Sequence, residues 1–119
     1  MGDSSLLGYT NKLVNYIEES YLRFQQLLED ETIEYDFFED VKPYADQVKE
    51  VADKWKMTAD IWIKEEKPKY LHASQIETTY DHILNMSVGS FYRYTKRKRF
   101  KNTYQSILYV LNQIVDQNK

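Results

Sequence analysis

Cysteine is absent from this 119-residue chain, and proline and glycine are scarce, at two and three residues. Without cysteine there is no disulfide, no thiolate metal site and no thiol nucleophile, and the absence fits a reducing compartment. No apolar run approaches the ~20 residues that a membrane-spanning helix needs. Met1 to Leu6 lacks the basic region and apolar stretch of a secretory signal. Gly2 invites a myristoylation reading, but Leu6 stands where that signal needs Ser or Thr. These absences together predict a soluble, cytoplasmic protein. No Gly-rich phosphate loop or nucleophile elbow is present, and no spacing joins serine, histidine and acid into a relay. The two histidines lack the Glu-x-x-His spacing of bundled metal centres, since Lys69 precedes His72 and Thr79 precedes His82 by three residues. No catalytic residue, metal or cofactor is therefore expected.

The sequence is rich in helical periodicity. Leu6, Leu13, Ile17, Phe24 and Leu28 recur at three- and four-residue steps, with Val14 and Tyr21 beside them, and predict a first helix from about Ser5 to Asp30. Asp36 with Glu39 three residues later has the form of a helix start. Pro43 follows quickly and suits the first turn of a fresh helix, so Phe37 and Phe38 are expected to plug one end of the fold. Tyr44, Val48, Val51, Trp55, Ala59 and Trp62 form the stripe of a second helix, which Lys67-Pro68 ends. Ser74-Gln75-Ile76-Glu77 reads as a capping box for a third, with Ile76, Tyr80, Ile83, Ser87, Phe91 and Tyr94 inward and Gly89 permitting close packing. A fourth, from Lys96 or Lys98 to Gln117, buries Phe100, Tyr104, Ile107, Leu108, Leu111, Ile114 and Val115. No strand alternation or internal repeat competes. Four amphipathic helices on short connections predict one all-α domain over residues 1–119, an up-and-down antiparallel four-helix bundle with a short extra aromatic turn before the second helix.

Charge is distributed unevenly. Residues 1–66 carry 16 acidic and 7 basic side chains, net −9, while residues 67–119 carry 3 and 9, net +6. Six of those nine cations are Arg93, Lys96, Arg97, Lys98, Arg99 and Lys101, interleaved with Phe91, Tyr92, Tyr94 and Phe100. Two readings stand side by side. In the first, the aromatics are core and the cations a solvated end that offsets the negative end of the third helix. In the second, the turn binds an anion: a phosphate backbone, an acidic protein surface or an anionic membrane face. A sequence pI of about 5.4 is far from the basic footprint of nucleic-acid binders. Glu31-x-x-Glu34 followed by Glu50-x-x-Asp53 has the form of a magnesium-binding nucleotide pyrophosphohydrolase, yet at 100° per residue Glu50 and Asp53 fall opposite the Val48–Trp55 stripe. Eleven tyrosines suit the boundaries of a thin bundle, with Tyr16, Tyr92 and Tyr109 nearest the outer faces.

Tyr35-Asp36-Phe37-Phe38-Glu39, Val41-Lys42-Pro43, Trp55, Lys67-Pro68-Lys69-Tyr70-Leu71-His72, Gln75-Ile76-Glu77, Lys98-Arg99-Phe100-Lys101 and Ser106 to Leu111 form an ordered set. From Tyr35 onward this set resembles the YppE-like family of small Gram-positive bacterial proteins. Lys67 departs from it, since arginine more often precedes that proline. The resemblance implies a four-helix bundle and carries no activity. Up-and-down geometry places the first and third connections at one end, so Phe37 and Phe38 are expected near the cationic turn. The leading expectation is a non-enzymatic protein-binding or adaptor module whose surface comprises Phe37, Phe38, Arg93, Lys96, Arg97, Lys98, Arg99 and Lys101. Its expected partner is a protein, one of anionic character in the second reading of the turn. Nucleic-acid contact through residues 93–101 is the alternative, and a magnesium-dependent hydrolase the third reading.

Overall fold

A computed structural model describes residues 5–119; the readings of Gly2 and of a leader lie outside them. Among the described residues there are four α-helices and no strand: α1 Leu6–Glu29, α2 Lys42–Glu66, α3 Ala73–Gly89 and α4 Arg97–Gln117. Each helix packs against the next, and α4 closes the ring against α1, giving the expected up-and-down bundle.

Local chemistry sets the helix ends. Ser5 Oγ accepts from the Gly8 N–H at 3.0 Å and starts α1. Asp30 ends it, with Oδ1 accepting from Thr32 N–H at 2.9 Å and Thr32 Oγ1 at 2.6 Å. Asp36 then caps the expected aromatic turn by accepting from Glu39 N–H at 2.8 Å. That turn, Phe37–Val41, is wound as a single π turn and runs into α2, where Pro43 lies in the first turn. At the far end Lys67 adopts a left-handed conformation (φ 46°) and donates its N–H to Ile63 O at 3.0 Å; Pro68 then blocks continuation.

Two boundaries differ from expectation. Helix α3 starts before the Ser74–Glu77 box: His72 is its cap residue, and the His72 N–H donates to Gln75 Oε1 at 2.7 Å. Leu71, 2 % exposed, anchors the chain there, and Glu77 instead reaches Lys56 on α2 at 3.0 Å. Helix α3 also ends at Gly89, where Thr95 Oγ1 donates to the Gly89 carbonyl at 2.9 Å. Tyr94 therefore lies outside the helix, exposed and stacked on Tyr92, rather than in the core. A Cβ on Gly89 would meet only Thr95, at 3.4 and 3.6 Å, so close packing does not require this glycine.

The core takes Leu13, Ile17 and Leu27 from α1, Val48, Ala52, Trp55 and Ala59 from α2, Ile76 and Ile83 from α3, and Ile107, Leu111 and Ile114 from α4. On α1 the innermost leucine of the last turn is Leu27, with the expected Leu28 half-buried. Trp55 carries a polar edge into this interior. Its Nε1–H donates to Thr10 Oγ1 at 3.1 Å, and Thr10 in turn donates to Leu6 O at 2.7 Å, so neither buried group is left unpaired.

Candidate interaction site

The cationic segment divides into two parts with different duties. Arg93 is committed to the fold. Its Nε–H donates to Leu27 O at 3.1 Å, and Nη2 donates to Asp30 O at 2.6 Å and Ile33 O at 2.7 Å. A guanidinium's fixed fork suits several acceptors at once; here it closes the C-terminal end of α1 and ties the first connection to the third. The two connections thus share one end of the bundle, as the topology requires. Asp30 is held below the ordinary carboxylate range, chiefly by the hydrogen bonds from Thr32, with the Arg93 charge adding to them.

Sequence periodicity did not reveal the second arginine at this end. Arg23 of α1 lies with its guanidinium carbon 4.1 Å from the ring centres of both Tyr44 and Phe91, and Nη1 donates to the buried Ser90 Oγ at 2.9 Å. Phe91 also meets Tyr35 edge-on at 5.0 Å and Tyr44 at 5.6 Å. One arginine thereby joins α1, α2 and the third connection. Arg23 lies inside α1, half-buried at the edge of its apolar face, and its only sequence signal is its position immediately before the core residue Phe24.

Lys96, Arg97, Lys98, Arg99 and Lys101 behave differently. Lys96 is the N-cap residue of α4, without a side-chain cap hydrogen bond, and the other four lie in its first turns. All five are exposed, and among the described residues none has an ion-pair or hydrogen-bond partner for its side chain. The positive end of a helix dipole disfavours cations, and these five crowd that end of α4; Lys96 and Arg99 also stand beside Gly89, the last residue of α3. Beside them, between α3 and α4, a groove of about 380 Å³ is lined by His82, Lys96, Lys98, Arg99, Asn102, Thr103 and Ser106. A smaller pocket of about 280 Å³ lies at its inner end, among Asn85, Met86, Gly89, Thr95, Lys96, Arg99, Phe100 and Thr103.

Phe37 and Phe38 are not a plug. They are 49 % and 74 % exposed and meet each other edge-to-face at 5.1 Å. Val41, 1 % exposed, is the residue of that turn which enters the interior. The π winding explains the difference: Asp36 O accepts from both Asp40 N–H and Val41 N–H, and the extra residue in the turn brings Val41 inward while leaving the phenylalanines outside. Of the outer-face tyrosines, Tyr109 is exposed, while Tyr16 and Tyr92 are half-buried.

The four carboxylates of the hydrolase reading all face solvent. Asp53 is occupied by Tyr80 and by Lys49 at 2.9 Å, and the Tyr80 hydroxyl is the main reason its carboxyl is held below the ordinary range. Glu50 pairs with Lys54 at 3.5 Å. Among the described residues no three histidine or acidic side chains converge as metal ligands would.

A bacterial domain of unknown function, DUF1798, matches residues 10–118. The chain belongs to this family. Among DUF1798 relatives, the uncharacterised protein YppE of Bacillus subtilis is 33 % identical over 117 residues, covering 98 % of this chain and 94 % of its own. The YppE crystal structure superposes with a TM-score of 0.88 at 34 % identity, over 93 % of this chain and 89 % of that one. A Listeria innocua protein of unknown function gives 0.89 at 30 % identity, over 94 % and 89 %. The DUF1798 domain of a Staphylococcus aureus protein, at 22 % identity and a TM-score of 0.84, shares the fold. The YppE-like resemblance is thus established, and family membership brings a fold without an assigned activity. Among the described residues no helix is long and apolar enough to cross a membrane.

Proposed function

We propose that this DUF1798 chain is a non-enzymatic, cytoplasmic binding module that holds an anionic protein partner at the end of the bundle bearing the start of α4 and the Phe37–Phe38 turn. The observation that carries this reading is the set of five exposed cations at the positive end of α4, without side-chain partners among the described residues. Like charges on a helix end that already disfavours them act against folding, and an anionic surface relieves that repulsion on contact. Arg93, although part of the same run, supports the face from behind by fixing the connections. Exposed Phe37 and Phe38 add apolar area of the aromatic kind that anchors protein interfaces.

The test replaces Lys96, Arg97, Lys98 and Arg99 with glutamine and compares partner capture from host extract at low and high salt. Partners held by this face are lost both in the variant and, for the wild type, at high salt. An unchanged partner set overturns the reading. Oligonucleotide binding that falls steeply with salt and vanishes in the variant replaces the protein partner by nucleic acid.

A further inference from the structure

Two features of this chain complement each other but do not meet within it. The first is the 280 Å³ pocket between the end of α3 and the start of α4. Met86 and Phe100, 2 % and 5 % exposed, give it an apolar lining together with the side-chain-free backbone of Gly89. Lys96 and Arg99, both exposed, bring positive charge to it. A cavity of about 150 Å³ already accommodates benzene in a protein interior, so this pocket has room for a phenyl ring.

The second feature is the π turn. Phe38 is 74 % exposed, so its own chain leaves most of the ring uncovered. Glu34, Asp36, Glu39 and Asp40 surround it in sequence, and all are exposed. The turn is also fixed in the free chain. Asp36 accepts from Glu39 N–H at 2.8 Å, and Asp40 accepts from Asp36 N–H at 2.8 Å. A ring presented on such a double cap loses little conformational freedom on binding.

The pocket joins the apolar Met86 and Phe100 to two cations, Lys96 and Arg99, with Asn85, Thr95 and Thr103 completing its wall; the turn joins an exposed phenylalanine to exposed carboxylates next to it in sequence. Arg93 spans from the third connection to Leu27, Asp30 and Ile33, so both features belong to the same end of the bundle. A two-fold axis through that end lets two copies exchange both contacts at once, in a closed pair rather than a filament. We infer that the anionic partner is a second copy of this chain: Phe38 of each copy enters the Met86–Phe100 pocket of the other, and the carboxylates of the turn pair with Lys96 and Arg99. This inference rests on the reading that the cationic face binds an anionic protein, and it names that protein. One ring and a few exposed ion pairs per contact make a small interface, so the pair is weak, forms reversibly with concentration, and is screened by salt.

Analytical ultracentrifugation of the full chain tests this. At low salt the mass rises with concentration from 14.4 kDa toward twice that value, and high salt reverses the rise. Phe38→Ser and the double variant Lys96→Glu/Arg99→Glu each abolish association. The melt of Phe38→Ser stays close to wild type because that position is exposed, and Lys96→Glu/Arg99→Glu melts no lower than wild type, because it removes like charge from the positive end of α4; neither loss of association is then a loss of fold. The decisive arm mixes the two variants. One supplies an intact pocket and the other an intact phenylalanine, so a mixed pair rebuilds one of the two contacts and associates more than either variant alone, though more weakly than wild type. A wild type that stays monomeric at the highest concentration overturns the inference, as does a pair that both variants retain or a mixture that associates no more than the separate variants. If the wild type is monomeric while capture from extract still requires the cations, this inference falls and the binding-module reading stands. If capture is also indifferent to the cations, both fall.

Discussion

Thr10 and Trp55 show how much one polar residue can hold. Both are 0 % exposed, and the Thr10 hydroxyl is the hydrogen-bond acceptor for the indole. Replacing Thr10 with valine keeps the shape but removes the acceptor, leaving a buried N–H unpaired. Such an orphan costs ~1–3 kcal/mol. The expected outcome is a loss of stability in that range by urea titration, without loss of helical circular dichroism below the transition. A loss within a few tenths of a kcal/mol shows that the indole N–H finds another acceptor. Trp55 is legible in the sequence as a stripe residue, because period and hydrophobicity mark it. Thr10 is not, because a threonine in an amphipathic helix becomes a core residue only when a partner on another helix reaches it. The same holds for Arg23, whose duty is set by Tyr44, Phe91 and Ser90, residues distant in sequence.

At the scale of elements, α4 begins under electrostatic tension. Each like charge near a helix N-terminus costs ~0.3–1 kcal/mol at low ionic strength, and four of the five cations lie consecutively, from Lys96 to Arg99. Glutamine at these four positions is therefore expected to stabilise the fold at low salt while removing partner binding. Urea titrations at low and high salt check this: the variant's advantage appears at low salt and shrinks as salt rises. A variant less stable than wild type shows instead that the cations support the fold. A gain in stability coupled to a loss of binding is what charges retained for function produce. The helices themselves were readable because apolar residues recur along each at helical spacing, and Lys67-Pro68 and Pro43 bound α2 as their backbone chemistry demands. What escaped was local winding. Nothing in Asp36-Phe37-Phe38-Glu39 distinguishes an α from a π turn, and in the π turn it is Val41 that is buried while both phenylalanines are exposed. Likewise the run from Arg93 to Lys101 is uniform as a string of charges. Only the fold separates Arg93, aimed at one carbonyl in the last turns of α1 and two in the first connection, from the five exposed cations at the start of α4.

Across the whole molecule, tyrosine hydroxyls link the four helices in series, α3 to α2 to α1 to α4. Tyr44 of α2 donates to Tyr16 O of α1 at 2.8 Å, Tyr80 of α3 donates to Asp53 of α2, and Tyr104 of α4 donates to Glu18 of α1. All three hold their protons more tightly than an ordinary tyrosine, whose value lies near 10. Burial is the main cause for Tyr44, and the Asp53 carboxylate for Tyr80. For Tyr104, burial and then the Glu18 hydrogen bond push the value up to about 12. Below pH ~10 these groups are protonated in both folded and unfolded chains, and their stabilisation is fully present. As pH rises through the unfolded value the unfolded chain releases protons first, so stability falls, and the Tyr104 contribution is gone once pH passes about 12. Lys49 and Lys56, raised chiefly by hydrogen bonds to Asp53 and Glu77, act in the same direction. Thermal melts are therefore expected to hold steady up to pH ~10 and to decline steeply above it. Tyr104→Phe isolates one of these three links: it lowers the melting temperature at neutral pH but shows a shallower decline above pH ~10, because its share of the proton linkage has been removed. An identical slope in the variant and the wild type assigns the alkaline loss to the other tyrosines and the lysines, and removes Tyr104 from it.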